Sequence, residues 1–125
     1  MNHRQKGDYS ELLVLAELAK QERRIAIPYG NSEGFDLLVQ GRDGSWKMLQ
    51  IKTAYKRGKR GNRVYVDTIR RNGPKGIREY PKGSFDFLIA VLPEESRFWV
   101  ISFREMFGRT AISLPDSRDS GWGML

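Results

Sequence analysis

The chain has 125 residues, 39% of them hydrophobic and 30% charged, which allows one compact domain over residues 1–125 and leaves no room for a repeat array or a multidomain enzyme. It contains no cysteine, so disulfides, zinc–thiolate sites and thiol nucleophiles are excluded; no apolar run reaches the ~20 residues that span a bilayer. Net charge is +7, and residues 56–82 alone hold ten basic and two acidic residues, leaving −1 for everything else; basicity confined in this way fits a surface for a polyanion, nucleic acid before phospholipid, whereas a merely solvated chain would spread it.

Residues 1–6 are basic and are followed by Gly7-Asp8-Tyr9-Ser10-Glu11 rather than an apolar signal core, so no export signal is expected and a cytoplasmic location fits. Residues 8–21 carry apolar side chains at 12, 15, 16 and 19 and at 13 and 18, a broad stripe at helical spacing, and Asp8 or Ser10 can cap its start. Residues 24–29 are a short β-branched run stopped by Pro28 and Gly30, a predicted strand leading into a polar loop over 30–34. Residues 35–40 form a second predicted strand, Gly41-Arg42-Asp43-Gly44 a hairpin turn, and residues 45–54 a third strand. The pattern is a helix followed by an antiparallel meander.

The basic segment opens over 55–62, where two glycines loosen a run of cations, and returns over 63–69 with strand alternation. A second basic loop is expected over 70–83, with Pro74 and Pro81. Residues 84–93 are too continuously apolar for a half-exposed strand and suit a central one buried on both faces. Residues 94–96 are the turn to a hairpin partner at 97–102, and 103–107 a short helical turn. From Gly108 onward the chain reads as irregular, with Trp122 as a packed anchor or a subunit contact.

The third strand holds the chemistry. With period-two alternation Lys47, Leu49, Ile51 and Thr53 face one side, and Trp46, Met48, Gln50, Lys52 and Ala54 the other. An amide and an ammonium side by side among apolar residues need partners. Asp36, near the start of the other arm of the hairpin, is one; Glu11 in the first turn of the helix is another if the helix packs on the sheet. Glu11, Asp36, Gln50 and Lys52 together offer three oxygen ligands and one cation.

In this arrangement the sequence resembles the PD-(D/E)XK nuclease superfamily, in particular archaeal-type and phage Holliday junction resolvases and related small endonucleases. Lys6-Gly7-Asp8-Tyr9-Ser10-Glu11 is similar to the helix-borne glutamate motif, Gly34-Phe35-Asp36-Leu37 to the aspartate motif, and Gln50-Ile51-Lys52 to the (D/E)XK triplet. Residues 85–88 and 98–101 resemble the hairpin that follows in such proteins. Phe35 replaces the motif proline, and Gln50 replaces the usual acidic ligand. The resemblance implies an α/β fold with a restriction-endonuclease-like core, an N-terminal helix packed on a central mixed sheet of about five to six strands. Ser32 resembles a loop serine near the active site of the resolvases.

Phosphodiester hydrolysis needs an activated water and stabilised negative charge, and a hard divalent ion with oxygen ligands provides both. The resemblance implies Mg²⁺, with Mn²⁺ able to substitute and no small-molecule cofactor. Asp36, the Gln50 oxygen and Glu11 are the expected ligands, and Lys52 orients or deprotonates the water or neutralises charge on the phosphate. The substitution of Gln50 for an acid implies weaker metal binding than a three-carboxylate site.

Lys6, Lys56, Arg57, Lys59, Arg60, Arg63, Arg70, Arg71 and Lys75 are the expected DNA contacts, with Arg78 and Lys82 extending that surface. Cations on mobile loops contact phosphates without reading bases, which favours shape over sequence. Tyr55, Tyr65 and Tyr80 are candidates for stacking on bases, Tyr65 being better suited to the core. The leading expectation is an endonuclease selective for branched, four-way DNA, working as a two-fold homodimer without membrane attachment. Open alternatives are a duplex-cutting enzyme of homing or restriction type, a DNA-binding module inactivated by Gln50, and an RNA-binding protein, for which no aromatic sheet signature is present.

Overall fold

The computed structural model describes residues 1–30, 34–71 and 76–125. Helix α1 (His3–Lys20) begins five residues before the predicted start, because Asn2 caps it: the Asn2 side chain accepts from the Gln5 N–H at 2.9 Å and the Gln5 side chain answers the Asn2 N–H at 3.0 Å. This reciprocal box satisfies two N–H groups that the helix leaves open, so neither Asp8 nor Ser10 is needed as a cap. The buried line runs through Ser10, Val14 and Leu18, one residue per turn at four-residue spacing. Leu12, assigned to the apolar stripe from its spacing, is instead 62% exposed.

The main sheet has five strands among the described residues: β1 (Ile25–Ala26), β2 (Leu37–Gln40), β3 (Trp46–Thr53), β8 (Phe87–Leu92) and β9 (Arg97–Ser102), in that spatial order. The β1–β2–β3 meander and the β8–β9 hairpin are antiparallel, while β3 and β8 run parallel, Leu49 beside Phe87 through Thr53 beside Val91. The sheet is therefore mixed, as expected, and β8 is interior and buried from Leu88 to Leu92. The predicted strand over 24–29 shrinks to two residues at Ile25–Ala26.

The two faces of β3 lead to two cores. Leu49 and Ile51 join Val14, Leu18, Leu37, Val39, Ile89 and Val91 beneath α1. The opposite face, with Met48 and Ala54, packs with Leu88, Ala90, Trp99 and Ile101 against Val64, Val66, Tyr80 and Phe85. Ser10 Oγ and Thr53 Oγ1 hydrogen-bond at 2.7 Å between helix and strand. That bond fixes the turn of α1 that carries Glu11 over the end of β3.

The basic segment is more ordered than its composition suggests. It forms β4 (Tyr55–Arg57), β5 (Arg63–Asp67), β6 (Ile69–Arg71) and β7 (Ile77–Glu79). β6 and β7 are an antiparallel hairpin inside the stretch read as a loop over 70–83, with Ile69 opposite Glu79 and Arg70 opposite Arg78. The C-terminal stretch is also not wholly irregular: β10 (Ala111–Ser113) pairs with β5, and β5 with β4. Short strands whose pairing partner lies over forty residues away leave no local signal. Between β9 and β10 lies the expected short helix α2 (Phe103–Met106). The Trp122 ring packs 5.6 Å from Phe98, so it serves as an anchor within the chain.

No helix among the described residues is long and apolar enough to cross a membrane.

Candidate active site

Asp36 stands one residue before β2, at the point where the β2–β3 ladder ends. Gly34 delivers the chain there at φ +101°, a conformation that glycine alone adopts easily, and a Cβ at that position would lie 3.1 Å from Ser84 Cβ. Backbone groups of odd residues in β3 point toward β2. With no further β2 residue to pair, the Ile51 N–H donates to Asp36 Oδ2 at 2.7 Å, while the Asp36 N–H donates to the Leu49 carbonyl at 2.8 Å. The carboxylate is thus locked onto the (D/E)XK-like strand itself.

Extending the β2–β3 register by one step puts Asp36 opposite Gln50. In a strand the N–H and C=O of one residue point to the same side, so the Ile51 carbonyl faces the same open edge; it accepts from Gln50 Nε2 at 3.4 Å. Glu11 reaches Asp36 from α1 and hydrogen-bonds with its carboxylate. Burial, followed by the Asp36 charge, pushes the Glu11 carboxyl up to about 7. Asp36 is also raised by burial, against the lowering effect of the Ile51 N–H, Glu11 and Lys52. Two acids held together in partial burial share a proton, as expected when like charges cannot both be ionised cheaply.

Lys52 projects on the Gln50 face, where its Nζ donates to the Ile69 carbonyl at 2.7 Å and lies 5.5 Å from the centre of the Tyr80 ring. Four predicted residues, Glu11, Asp36, Gln50 and Lys52, therefore converge on one end of β3. Ser32 and Lys75 lie outside the described residues.

The donor set is two carboxylates, an amide oxygen and the Ile51 carbonyl. No cluster of three or more His, Cys, Asp or Glu side chains suited to a metal occurs among the described residues. An all-oxygen set with two acids nevertheless fits a hard divalent cation that retains several waters. The Ile51 carbonyl is a candidate ligand missed from sequence, because a backbone oxygen carries no residue signature. Tyr80 was misassigned: it is 5% exposed, its ring packs edge-on against Phe85 at 5.1 Å, and it cannot stack on a base. Burial raises its hydroxyl to about 12. Tyr65 is half-buried and stacks on Tyr55 at 6.3 Å, in line with a packing role.

The predicted DNA contacts divide by their partners. Lys6 on α1 lies 4.0 Å from Glu94, and Lys56 on β4 is ion-paired with Glu95, which raises its pKa. Arg57, Lys59, Arg60 and Arg63 are exposed along β4, its turn and the start of β5, where Gly58, Lys59, Arg60, Asn62 and Arg63 line a shallow groove. Arg70 and Arg71 are on β6.

A family model for the PD-(D/E)XK endonuclease matches residues 1–115. The structure of a bacterial homing endonuclease superposes with a TM-score of 0.78 at 26% sequence identity, over 95% of this chain and 83% of that one. No curated protein sequence matches. The chain belongs to the PD-(D/E)XK endonuclease family, and its α/β architecture, α1 on a mixed five-stranded sheet, is restriction-endonuclease-like. Nucleases of this family generally use divalent metals and act on DNA.

Proposed function

We propose that this PD-(D/E)XK endonuclease is a divalent-metal-dependent enzyme that cuts duplex DNA in the manner of the homing type, with Glu11, Asp36, Gln50 and Lys52 as its reaction centre. The observation that carries it is the Asp36 carboxylate held on Ile51 N–H at 2.7 Å, with Glu11 against it and Lys52 one residue further along β3. Asp36, Glu11, the Gln50 oxygen and the Ile51 carbonyl would hold Mg²⁺, or Mn²⁺ in its place. Bound there, the ion would supply Lewis acidity toward the phosphate and a more acidic water.

The protein's own groups do the rest. Asp36 and Glu11 release their shared proton to become ligands. Lys52, anchored by the Ile69 carbonyl, offers N–H donors to the attacking water or to a phosphate oxygen in a partly buried site, where such a charge acts strongly. The Ile51 N–H keeps Asp36 from rotating away, so geometry is set before substrate arrives.

Duplex is favoured over the four-way junction because six of the ten cations of the basic segment, Lys56, Arg57, Arg63, Arg70, Arg71 and Arg78, stand on paired strands. Strands hold donors at fixed two-residue spacing, which suits a regular groove, and the homing endonuclease covers nearly the whole chain. Two antiparallel strands to cut and one site per chain call for a two-fold homodimer.

Purified protein is incubated with labelled duplex libraries and a four-way junction, with Mg²⁺, Mn²⁺ or EDTA, beside Asp36→Asn. Metal-dependent double-strand cutting of particular duplexes, lost in Asp36→Asn, is expected. Paired symmetric nicks in the junction alone would assign the resolvase activity instead, and binding without any cutting would leave a DNA-binding module. Sedimentation showing only monomer with bound duplex would overturn the dimer.

A further inference from the structure

Arg70 sits in the middle of β6, partly buried, and its Nε is enclosed with no hydrogen-bond partner among the described residues. Enclosing a guanidinium N–H without an acceptor is costly, and native proteins keep such a group where a functional role retains the side chain. The surroundings of Arg70 indicate an anion. Its guanidinium carbon lies 5.7 Å from the centre of the Tyr80 ring, the same ring that Lys52 Nζ approaches to 5.5 Å. Lys52 in turn donates to the carbonyl of Ile69, the residue directly before Arg70. One aromatic ring and one turn of β6 backbone therefore gather two cations beside the reaction strand. Asp36 also acts electrostatically on the Tyr80 hydroxyl, as Arg70 does, which places all three in one neighbourhood. Two cations beside one ring repel each other, and an anion that both can reach reverses the sign. A phosphodiester offers the acceptor oxygens that a guanidinium fork matches.

We propose that Arg70 is a catalytic residue whose guanidinium fork, with Nε turned inward, binds a non-bridging oxygen of the scissile phosphate beside Lys52, with Tyr80 as the positioning residue that holds both cations. This rests on the endonuclease reading of the Glu11–Asp36–Lys52 site.

The test compares wild type with Arg70→Ala, Arg70→Lys, Tyr80→Phe and Tyr80→Leu, reading kcat, KM, DNA affinity in EDTA and thermal unfolding. Arg70→Ala is expected to lower kcat about 100- to 1000-fold, the usual loss for one transition-state donor. Arg70→Lys is expected to lower it by at least about tenfold, with affinity in EDTA kept within about threefold, because an ammonium lacks the planar fork. Millimolar guanidinium ion added to Arg70→Ala should restore part of kcat, and should restore none in Asp36→Asn. Tyr80→Phe, which keeps the ring, should stay near wild type, while Tyr80→Leu loses kcat with DNA affinity retained.

A kcat for Arg70→Ala within about twofold of wild type, with weaker DNA binding and a salt slope reduced by about one, would put Arg70 on a distant phosphate and overturn the proposal. So would a fully active Arg70→Lys without guanidinium rescue of the alanine variant, since charge alone would then suffice. If wild type itself cuts no DNA, the underlying endonuclease reading fails, and the proposal with it.

Discussion

Glu11 holds a proton to about pH 7, well above the ordinary 4.5, because it is partly buried against Asp36. Between those values the folded protein keeps this proton and the unfolded chain does not, so stability falls as pH rises from about 4.5 to 7. Thermal unfolding in EDTA across that range should show the decline, and Glu11→Gln should flatten it and raise the melting temperature at pH 8 by a few degrees. Protons and a divalent ion compete for the same oxygens. Apparent Mg²⁺ or Mn²⁺ affinity, measured by calorimetry, should therefore strengthen as pH rises through 7.

Asp36 and Gln50 admit sharper substitutions. Asp36→Asn keeps the shape and an acceptor for the Ile51 N–H, yet removes the charge; cleavage should fall at least about a hundredfold with DNA affinity in EDTA preserved. Gln50→Glu adds the negative charge that this strand lacks and should bind the divalent ion more tightly than wild type. Equal affinity in a metal titration would mean that the Gln50 side chain is not a ligand.

At the scale of elements, the Ser10–Thr53 hydrogen bond and the buried line of Val14 and Leu18 set where α1 sits, and hence where Glu11 ends up. Ser10→Ala leaves the Thr53 hydroxyl at a closed helix–sheet contact without its partner, and should cost about 1–3 kcal/mol in urea unfolding. Leu18→Ala empties a fully buried site and should cost about 2–5 kcal/mol. The two differ in kind. Ser10 lies next to Glu11, so its loss should also slow cleavage by the folded protein, whereas Leu18 is two turns away and should lower stability with kcat retained.

At the scale of the whole molecule, the charge of residues 56–82 is shared unevenly between ion pairs and solvent. Lys56 is held by Glu95, whereas Lys59, Arg60 and Arg63 surround the groove between β4 and β5. Each phosphate contact contributes about 0.9 to the slope of log affinity against log salt. Lys59→Ala, Arg60→Ala and Arg63→Ala combined should reduce that slope by nearly three, and Lys56→Ala by much less. A slope near zero in wild type would remove the basic segment from DNA binding altogether.

What the sequence determined by itself lay in local pattern and in motif order. The continuous apolar run of β8, the alternation that separates Leu49 and Ile51 from Gln50 and Lys52, and the hairpin that carries Asp36 all follow from periods of two and from turn residues. Glu11, Asp36, Gln50 and Lys52 were legible because each stands in a short motif within a predicted element. The start of α1 was misplaced because its cap, Asn2 with Gln5, lies in a stretch read as a basic terminus.

Tertiary structure alone decided which groups meet. β10 pairs with β5, and the Tyr80 ring lies against Lys52, because the sheets bring together residues tens of positions apart, and pairing at that distance is chosen by packing rather than by local preference. The Ile51 N–H and carbonyl became part of the site for a related reason. A backbone group takes on a functional role only where a neighbouring strand stops short, and where β2 stops is a property of the fold.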